Sequence, residues 1–457
     1  MYSIHTFLLQ KELFRSSEPV KTSVVYSFTD TPALQQIARQ ADSDYILFYT
    51  GTSPIELHPY AIGRMYQIAE SNDGALFYSD YQEIRQGKKI HHPTLEYQTG
   101  SIRNDFDFGQ LLLFRNDSFQ QVVAQMNTDY RFAALYELRL SISRLGKIVH
   151  IPETLYTVQP TDLRLSGEKQ FDYVDPANRE VQLEMEAVCT AHLQAIGAWL
   201  APEFQRIDFG QENFAREASV IIPVRNRKRT IAEAVESALQ QQTDFSFNVI
   251  VVDNHSTDGT GQILTELSRR YPNLIHHIPA STELGIGGCW TEAILLPECG
   301  KFAIQLDSDD LYKDCHVLQR IVDTFYQENC AMVIGSYQMV DFKLEEIPPG
   351  LIAHREWTPD NGRNNALRIN GLGAPRAFYT PVLRQIKFPN VSYGEDYATA
   401  LAISRKYPIA RIYDPLYLCR RWEENSDHDL DIQQLNNYNF YKDKIRTLEI
   451  QARISGK

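Results

Sequence analysis

Three short apolar runs constrain the fold of this chain more than any other feature: ASVIIPV at 218–224, FNVIVV at 247–252 and KFAIQL at 301–306. A run of this length without polar alternation suits a strand covered on both faces, because both sides of its pleat meet apolar neighbours. Between the first two, Thr230 to Gln242 sets Ile231, Ala234, Val235 and Leu239 on one side at helical spacing. Leu274 to Ile278 supplies a further short strand. The β-α-β-α order predicts an α/β fold with a doubly wound sheet, parallel at its core. Ligands bind such sheets beyond the carboxyl ends of the strands.

Three polar loops fall at that edge. Arg225-Asn226-Arg227-Lys228-Arg229 follows the first run, Asp253-Asn254-His255-Ser256-Thr257-Asp258-Gly259-Thr260 the second, and Asp307-Ser308-Asp309-Asp310 the third. Three carboxylates in four residues repel one another unless solvated or bound to a cation, and hard divalent ions prefer oxygen ligands. The competing reading is an acidic loop capping the next helix, with Asp310 or Asp314 near its N-terminus. Asp253 offers a carboxylate that can accept the N–H of a nucleobase; Asp, Asn and Ser at a strand end also simply favour turns. The basic loop is either a solvated surface or, opposite the acidic loop, a means of neutralising a diphosphate.

SVIIPVRNR, VIVVDNHSTDGT and FAIQLDSDD, in this order, resemble the family 2 glycosyltransferases of GT-A fold over about residues 217–425. The resemblance implies a GT-A type doubly wound mixed sheet. It implies that Pro223, Arg225, Asn226 and Asp253 hold a nucleotide, that Asp307 and Ser308 face its ribose, and that Asp309 of the D-x-D segment binds Mn²⁺ or Mg²⁺. Gly394-Glu395-Asp396-Tyr397 resembles the family's E-D motif, which implies Asp396 as general base, with Glu395 as its alternative or as an acceptor ligand. Such a base is needed because a sugar hydroxyl is a poor nucleophile until its proton is removed. Arg420-Arg421-Trp422 and Asn425-Ser426-Asp427-His428 resemble the closing loop. They imply Arg420 and Arg421 at the diphosphate and His428 as a second metal ligand. One segment departs from the pattern: Glu283-Leu284-Gly285-Ile286-Gly287-Gly288-Cys289-Trp290-Thr291 keeps the glycine but lacks the family's Asn and Arg-Asn.

The first half parallels the second. DYILFYTGTS at 44–53 matches KFAIQLDSDD, ALFYSDYQ at 75–82 matches AMVIGSYQ at 331–338, YELRLSISR at 136–144 matches YATALAISR at 397–405, and IPETLY at 151–156 matches IYDPLY at 412–417. The fold expected is therefore two tandem copies, the first truncated. Thr50, Thr52 and Ser53 stand where the second copy has Asp307, Asp309 and Asp310, and Ala134-Leu135 stands for Glu395-Asp396. Neutral hydroxyls do not replace a carboxylate's charge on a divalent ion. Residues 1–160 are thus expected to be a degenerate, non-catalytic copy, 161–216 a helical linker, 217–425 the catalytic domain and 426–457 a helical extension.

The net charge of -13 argues against a general nucleic-acid binder. Six cysteines without a C-x-x-C pair fit reduced, mostly buried thiols. The first residues lack a basic segment followed by a long apolar run, so a cytoplasmic location is expected, with peripheral association at the inner face of the membrane as a further expectation. The function expected is inverting, metal-dependent transfer of a hexosyl-type sugar from a nucleoside-diphosphate donor, UDP favoured over GDP, to a hydroxyl of a glycan or lipid-linked acceptor. The alternative is a non-catalytic nucleotide-sugar or glycan-binding protein. Homo-oligomerisation through residues 1–160 is a further expectation.

Overall fold

The structure is a computed structural model; it describes residues 2–159, 178–210, 212–422 and 430–456. It divides into two compact units: Met1–Trp199 with Leu367–Ile369 and Leu430–Lys457, and Leu200–Ala366 with Asn370–Asp429.

The sheet of the second unit has nine strands. Leu274–His277, Phe247–Asp253, Ala218–Val224 and Phe302–Gln305 lie side by side in parallel. Arg376–Tyr379 then runs antiparallel between Phe302–Gln305 and Met332–Val340. Ile409–Arg420 pairs in parallel with Met332–Val340, and the two-residue strand Leu311–Tyr312 closes the edge. The sheet is mixed α/β, as the motifs imply. The three apolar runs form its parallel half because nearly every residue in them is buried. Their carboxyl ends release the basic loop, the Asp253 loop and the acidic string along one edge.

The first unit repeats this order. Ile55–Leu57, Lys147–Val158, Gly74–Arg85, Leu111–Arg115, Tyr45–Tyr49, Ile4–Leu8 and Lys21–Val24 follow one another across its sheet. Read from the opposite end, they correspond to Leu311–Tyr312, Ile409–Arg420, Met332–Val340, Arg376–Tyr379, Phe302–Gln305, Ala218–Val224 and Phe247–Asp253. The registers agree as well. Tyr45 faces Arg115 as Phe302 faces Tyr379, Leu76 faces Phe114 as Met332 faces Phe378, and Tyr81 faces Tyr156 as Tyr337 faces Tyr417. Alternate residues of YILFY enter opposite cores: Ile46 and Phe48 join Phe114 and Phe119, while Tyr45, Leu47 and Tyr49 join Leu113 and Met65. The central strands Tyr45–Tyr49, Ile4–Leu8 and Leu111–Arg115 are covered on both faces, and burial of their side chains stabilises the sheet by about 1.5–3 kcal/mol per large apolar residue.

Two helices leave large apolar residues exposed. In Arg179–Ala195, Val188 and Leu193 are buried but Leu183 is exposed. In Ile432–Ile454, Phe440 and Leu448 are exposed, and the buried face is largely charged: Asp443, Arg446, Glu449 and Arg453. The reason is an ion network within the first unit. Asp443 accepts from Ser101, Arg103 and Arg446, while the Gly100 N–H donates to the Thr447 hydroxyl. A Cβ on Gly100 would lie 2.2 Å from the Asp443 carbonyl oxygen, so the helix backbone can seat there only over a glycine. Among the described residues no helix is long and apolar enough to cross a membrane, and the cysteines are free.

Candidate active site at the carboxyl edge of the second sheet

The three loops are joined to one another by hydrogen bonds. Asn226 adopts a left-handed conformation (φ 54°), which turns its N–H onto the Ser256 hydroxyl (2.9 Å) while its side-chain oxygen accepts the Thr257 N–H (2.8 Å). The N–H groups of Arg227 and Lys228 donate to Thr260 Oγ1 and Asp258 Oδ2. From the helix that follows, Thr230 donates its hydroxyl to the carbonyl of Ser308 (2.9 Å), tying the first loop to the third. Pro223 is half-buried and Arg225 exposed at this edge.

Asp253 is buried. One carboxylate oxygen accepts the Ser256 N–H (2.9 Å) in a strand-end turn, and the other lies 3.3 Å from His276 Nε2. His276 sits on the neighbouring strand, where Val251 faces it in register. Sequence reasoning passed over this histidine; a His-His pair inside a short strand was the signal available.

The acidic string is not a helix cap. Asp310 leads into the strand Leu311–Tyr312, and the next helix starts only at Val317. Each carboxylate instead has its own surroundings. Asp307 accepts from Gln305 Nε2 on both oxygens (2.9 and 3.0 Å), and its N–H donates to the Tyr417 hydroxyl. Burial raises its pKa, Asp309 adds to the rise, and Gln305 and Arg376 oppose it. Asp310 accepts the Arg420 N–H (2.8 Å), and burial together with Asp309 and Asp307 pushes its pKa well up. Asp309 receives the Trp422 indole N–H (3.1 Å), with Arg227 Nε 3.6 Å away.

Asp396 lies in the first turn of helix Glu395–Ser404, entered through a left-handed Gly394 (φ 76°). Its Oδ2 is 2.7 Å from the guanidinium of Arg376, and its Oδ1 accepts the Tyr397 N–H. Glu395 is buried, and burial followed by the charge of Asp396 pushes its pKa up to about 8. The Arg376 N–H donates to Gln305 Oε1 (3.1 Å), so one glutamine joins Asp307 to the strand that carries the partner of Asp396. Against the cost of its burial, Arg376 is held charged by Asp396, Asp307 and Glu395. Sequence reasoning missed this residue.

The departing glycine segment has a packing role. Helix Ile286–Leu295 begins against residues 389–391, immediately before Gly394. The Gly287 N–H donates to the Val391 carbonyl, and the Gly285 N–H to Asn390 Oδ1. A Cβ at Gly287 would lie 2.0 Å from the Pro389 carbonyl oxygen and 3.0 Å from Glu395 Cβ.

Arg420 does not face the open edge. It is buried, hydrogen-bonds the Asp309 carbonyl and Glu233, and packs under Phe342. It therefore fixes the conformation of the acidic string. Arg421 donates its N–H to the Val340 carbonyl. Trp422 packs against Phe342 with ring centroids 5.2 Å apart, and Arg227 and Arg229 lie over the indole. His428 falls outside the described residues. Pro223, Arg225, Asn226, Asp253, Asp307, Ser308 and Asp309 thus share one edge, and Asp396 and Glu395 are joined to it through Arg376 and Gln305.

The oxygen-donor chemistry of the string suits a hard dication, whose charge would relieve the repulsion around Asp307 and Asp310. No cluster of three His, Cys, Asp or Glu side chains with metal-binding geometry is formed among the described residues. One or two carboxylates completed by substrate phosphates and water is the arrangement expected for Mg²⁺.

A mixed α/β sheet with three linked polar loops at its carboxyl edge and an acidic pair joined to that edge has the layout of a GT-A fold. Residues 219–386 match the model of the glycosyl transferase family 2. An uncharacterized glycosyltransferase of Nostoc sp. is 32% identical over 123 residues, 27% of this chain and 37% of that protein. A poly(ribitol-phosphate) beta-glucosyltransferase of Bacillus spizizenii is 24% identical over 230 residues, 49% of this chain and 35% of that protein. The chain thus spans about a third of the length of these relatives. Among solved structures, S. aureus TarS 1-349 in complex with UDP-GlcNAc aligns with a TM-score of 0.40 and 22% identity, covering 52% of this chain and 72% of that one.

Proposed function

We propose that the second unit transfers a sugar from a nucleoside-diphosphate donor to an acceptor hydroxyl with inversion, and that residues 1–160 are a non-catalytic copy. The observation that carries the reading is the connection of two acidic sites through one chain of contacts, Asp307–Gln305–Arg376–Asp396. The Asp253 loop and the basic loop bind the nucleotide, UDP in preference to GDP, with Pro223, Arg225 and Asn226 lining it. Asp307 and Ser308 orient the ribose, and Asp309 holds Mn²⁺ or Mg²⁺. Bound there, the dication would stabilise charge on the departing diphosphate. Asp396 accepts the proton of the acceptor hydroxyl as its oxygen forms a bond to the anomeric carbon and the bond from that carbon to the diphosphate oxygen breaks. Arg420 sets the conformation of the acidic string, and Arg421 lies beside it.

A relative named for glucosylation of poly(ribitol phosphate) favours a hydroxyl of a polyol-phosphate polymer as acceptor, and action at the inner face of the membrane is part of the same proposal. The test is a donor screen by thermal shift with and without Mn²⁺, followed by nucleoside-diphosphate release with polyol-phosphate and glycan acceptors. Asp309→Ala should abolish metal-dependent turnover. Equal activity in that variant would remove the metal assignment, and binding without turnover across donors and acceptors would leave a nucleotide-sugar-binding protein.

A further inference from the structure

The pair Glu395–Asp396 raises a problem that electrostatics must resolve. Two adjacent carboxyl groups beside a third, Asp307, do not all ionise at neutral pH without a countercharge. Among the described residues, the groups facing Asp396 include Arg376 on its strand, Glu395 on the same helix turn, Asp307 beyond Gln305, and the Tyr397 N–H. The guanidinium of Arg376 meets Asp396 at 2.7 Å and is 21% exposed, so its charge is poorly screened. Its Nε is buried and has no hydrogen-bond partner among the described residues, leaving an N–H that a substrate oxygen would satisfy.

The first unit supplies an internal comparison. Leu112 faces Phe48 as Arg376 would face Gln305 by the shared register, so Leu112 occupies the position of Arg376. In that unit Thr50 stands for Asp307, and Ala134 and Leu135 for Glu395 and Asp396. All four charged members are absent together, while strand order and pairing persist. The strand therefore accepts leucine at this position, and the arginine is not required to build the sheet.

Resting on the transferase reading above, we propose that Arg376 is a positioning residue that keeps Asp396, rather than Glu395, as the ionised member of the pair and holds its carboxylate toward the acceptor. Glu395 then carries the proton and serves as a hydrogen-bond donor within the site.

The test uses the full chain and two variants, Arg376→Leu, which installs the residue of the first unit, and Arg376→Lys. In Arg376→Leu the acidic limb of the kcat–pH profile should move up by about one unit or more, because an adjacent arginine lowers a carboxyl pKa by about 1–3 units. Its kcat at neutral pH should fall by about 10²-fold, the cost of a base misplaced by about 1 Å. Arg376→Lys, which keeps the charge but loses the planar fork, should leave the limb near wild type. Nucleoside-diphosphate binding should change less than about threefold in both. Arg376→Leu with a wild-type profile and kcat overturns the proposal, as does loss of nucleotide binding in parallel with activity.

A second measurement, ¹³C titration of the Asp396 and Glu395 carboxyls without substrate, requires no turnover. Wild type should ionise Asp396 first, and Arg376→Leu should raise the Asp396 midpoint. An unchanged midpoint overturns the proposal. A wild-type protein that transfers no sugar while showing the expected titration removes the transferase reading alone.

Discussion

Gly287→Ala tests whether the site depends on the close approach of helix Ile286–Leu295 to the segment that delivers Glu395 and Asp396. The added methyl would sit 2.0 Å from the Pro389 carbonyl oxygen. Reaching an ordinary contact of about 3.5 Å requires a displacement of roughly 1.5 Å. Neither side yields easily. Pro389 is backbone-anchored through the Gly287 N–H to Val391 and the Gly285 N–H to Asn390, and the helix side carries the buried Trp290, Ala293 and Ile294. Overpacking of this kind costs about 1–3 kcal/mol of stability. The functional cost is larger, because the pushed segment enters Gly394 only a few residues later, and an error of about 1 Å in a catalytic group costs about 10²-fold in rate. The expectation is a fall of a few degrees in Tm, a kcat lower by about 10²-fold, and little change in nucleotide binding, since the atoms nearest a Cβ at Gly287 belong to Pro389 and Glu395. Melting curves, nucleotide calorimetry and initial rates on the same preparations read all three. A variant with wild-type kcat would refute the claim that this glycine positions the acidic pair.

Further outcomes follow from the same contacts. Thr52→Ala, in the first unit, should leave transfer near the wild-type rate, because that position carries no carboxylate; a loss comparable to that of Asp309→Ala would assign the first copy a part in the chemistry. Glu395 has a folded pKa pushed up to about 8 from an ordinary 4.5. An acid raised in the folded state stays protonated there while the unfolded chain ionises, so its contribution to stability is lost as pH rises from about 4.5 to about 8. Glu395→Gln should flatten that decline in urea unfolding followed across pH, and identical slopes would contradict the burial of an ionisable group there. Asp443→Ala should destabilise the first unit by about 3–5 kcal/mol, since it removes the buried carboxylate that Arg103 and Arg446 share; denaturant unfolding of the full chain reads the change.

The sequence carried much of the architecture, because its parallel strands are buried on both faces and must be written as unbroken apolar runs. It also carried the edge of the site: a polar loop after a buried strand has one place to go in such a sheet. Arg376 was not legible for a related reason. It sits in a four-residue strand between two others, and its pairing with Asp396 joins positions 20 residues apart that only the antiparallel crossing brings together. His276 meets Asp253 through the parallel pairing of neighbouring strands, which the sequence order alone does not display. Arg420 was identified by motif, yet its direction depends on Glu233 and Phe342, which come from other elements.

The amino-acid sequence by itself determined that this chain holds the same sheet twice and that Asp307, Asp309 and Asp310 of one copy are Thr50, Thr52 and Ser53 in the other. Both are properties of residue type and order, which local periodicity and strand burial translate directly into structure. The tertiary structure decided how those carboxylates differ from one another. Their burial, their guanidinium partners and the glycine contacts that place them arise from strands and helices far apart in the chain, and charge and packing act through space.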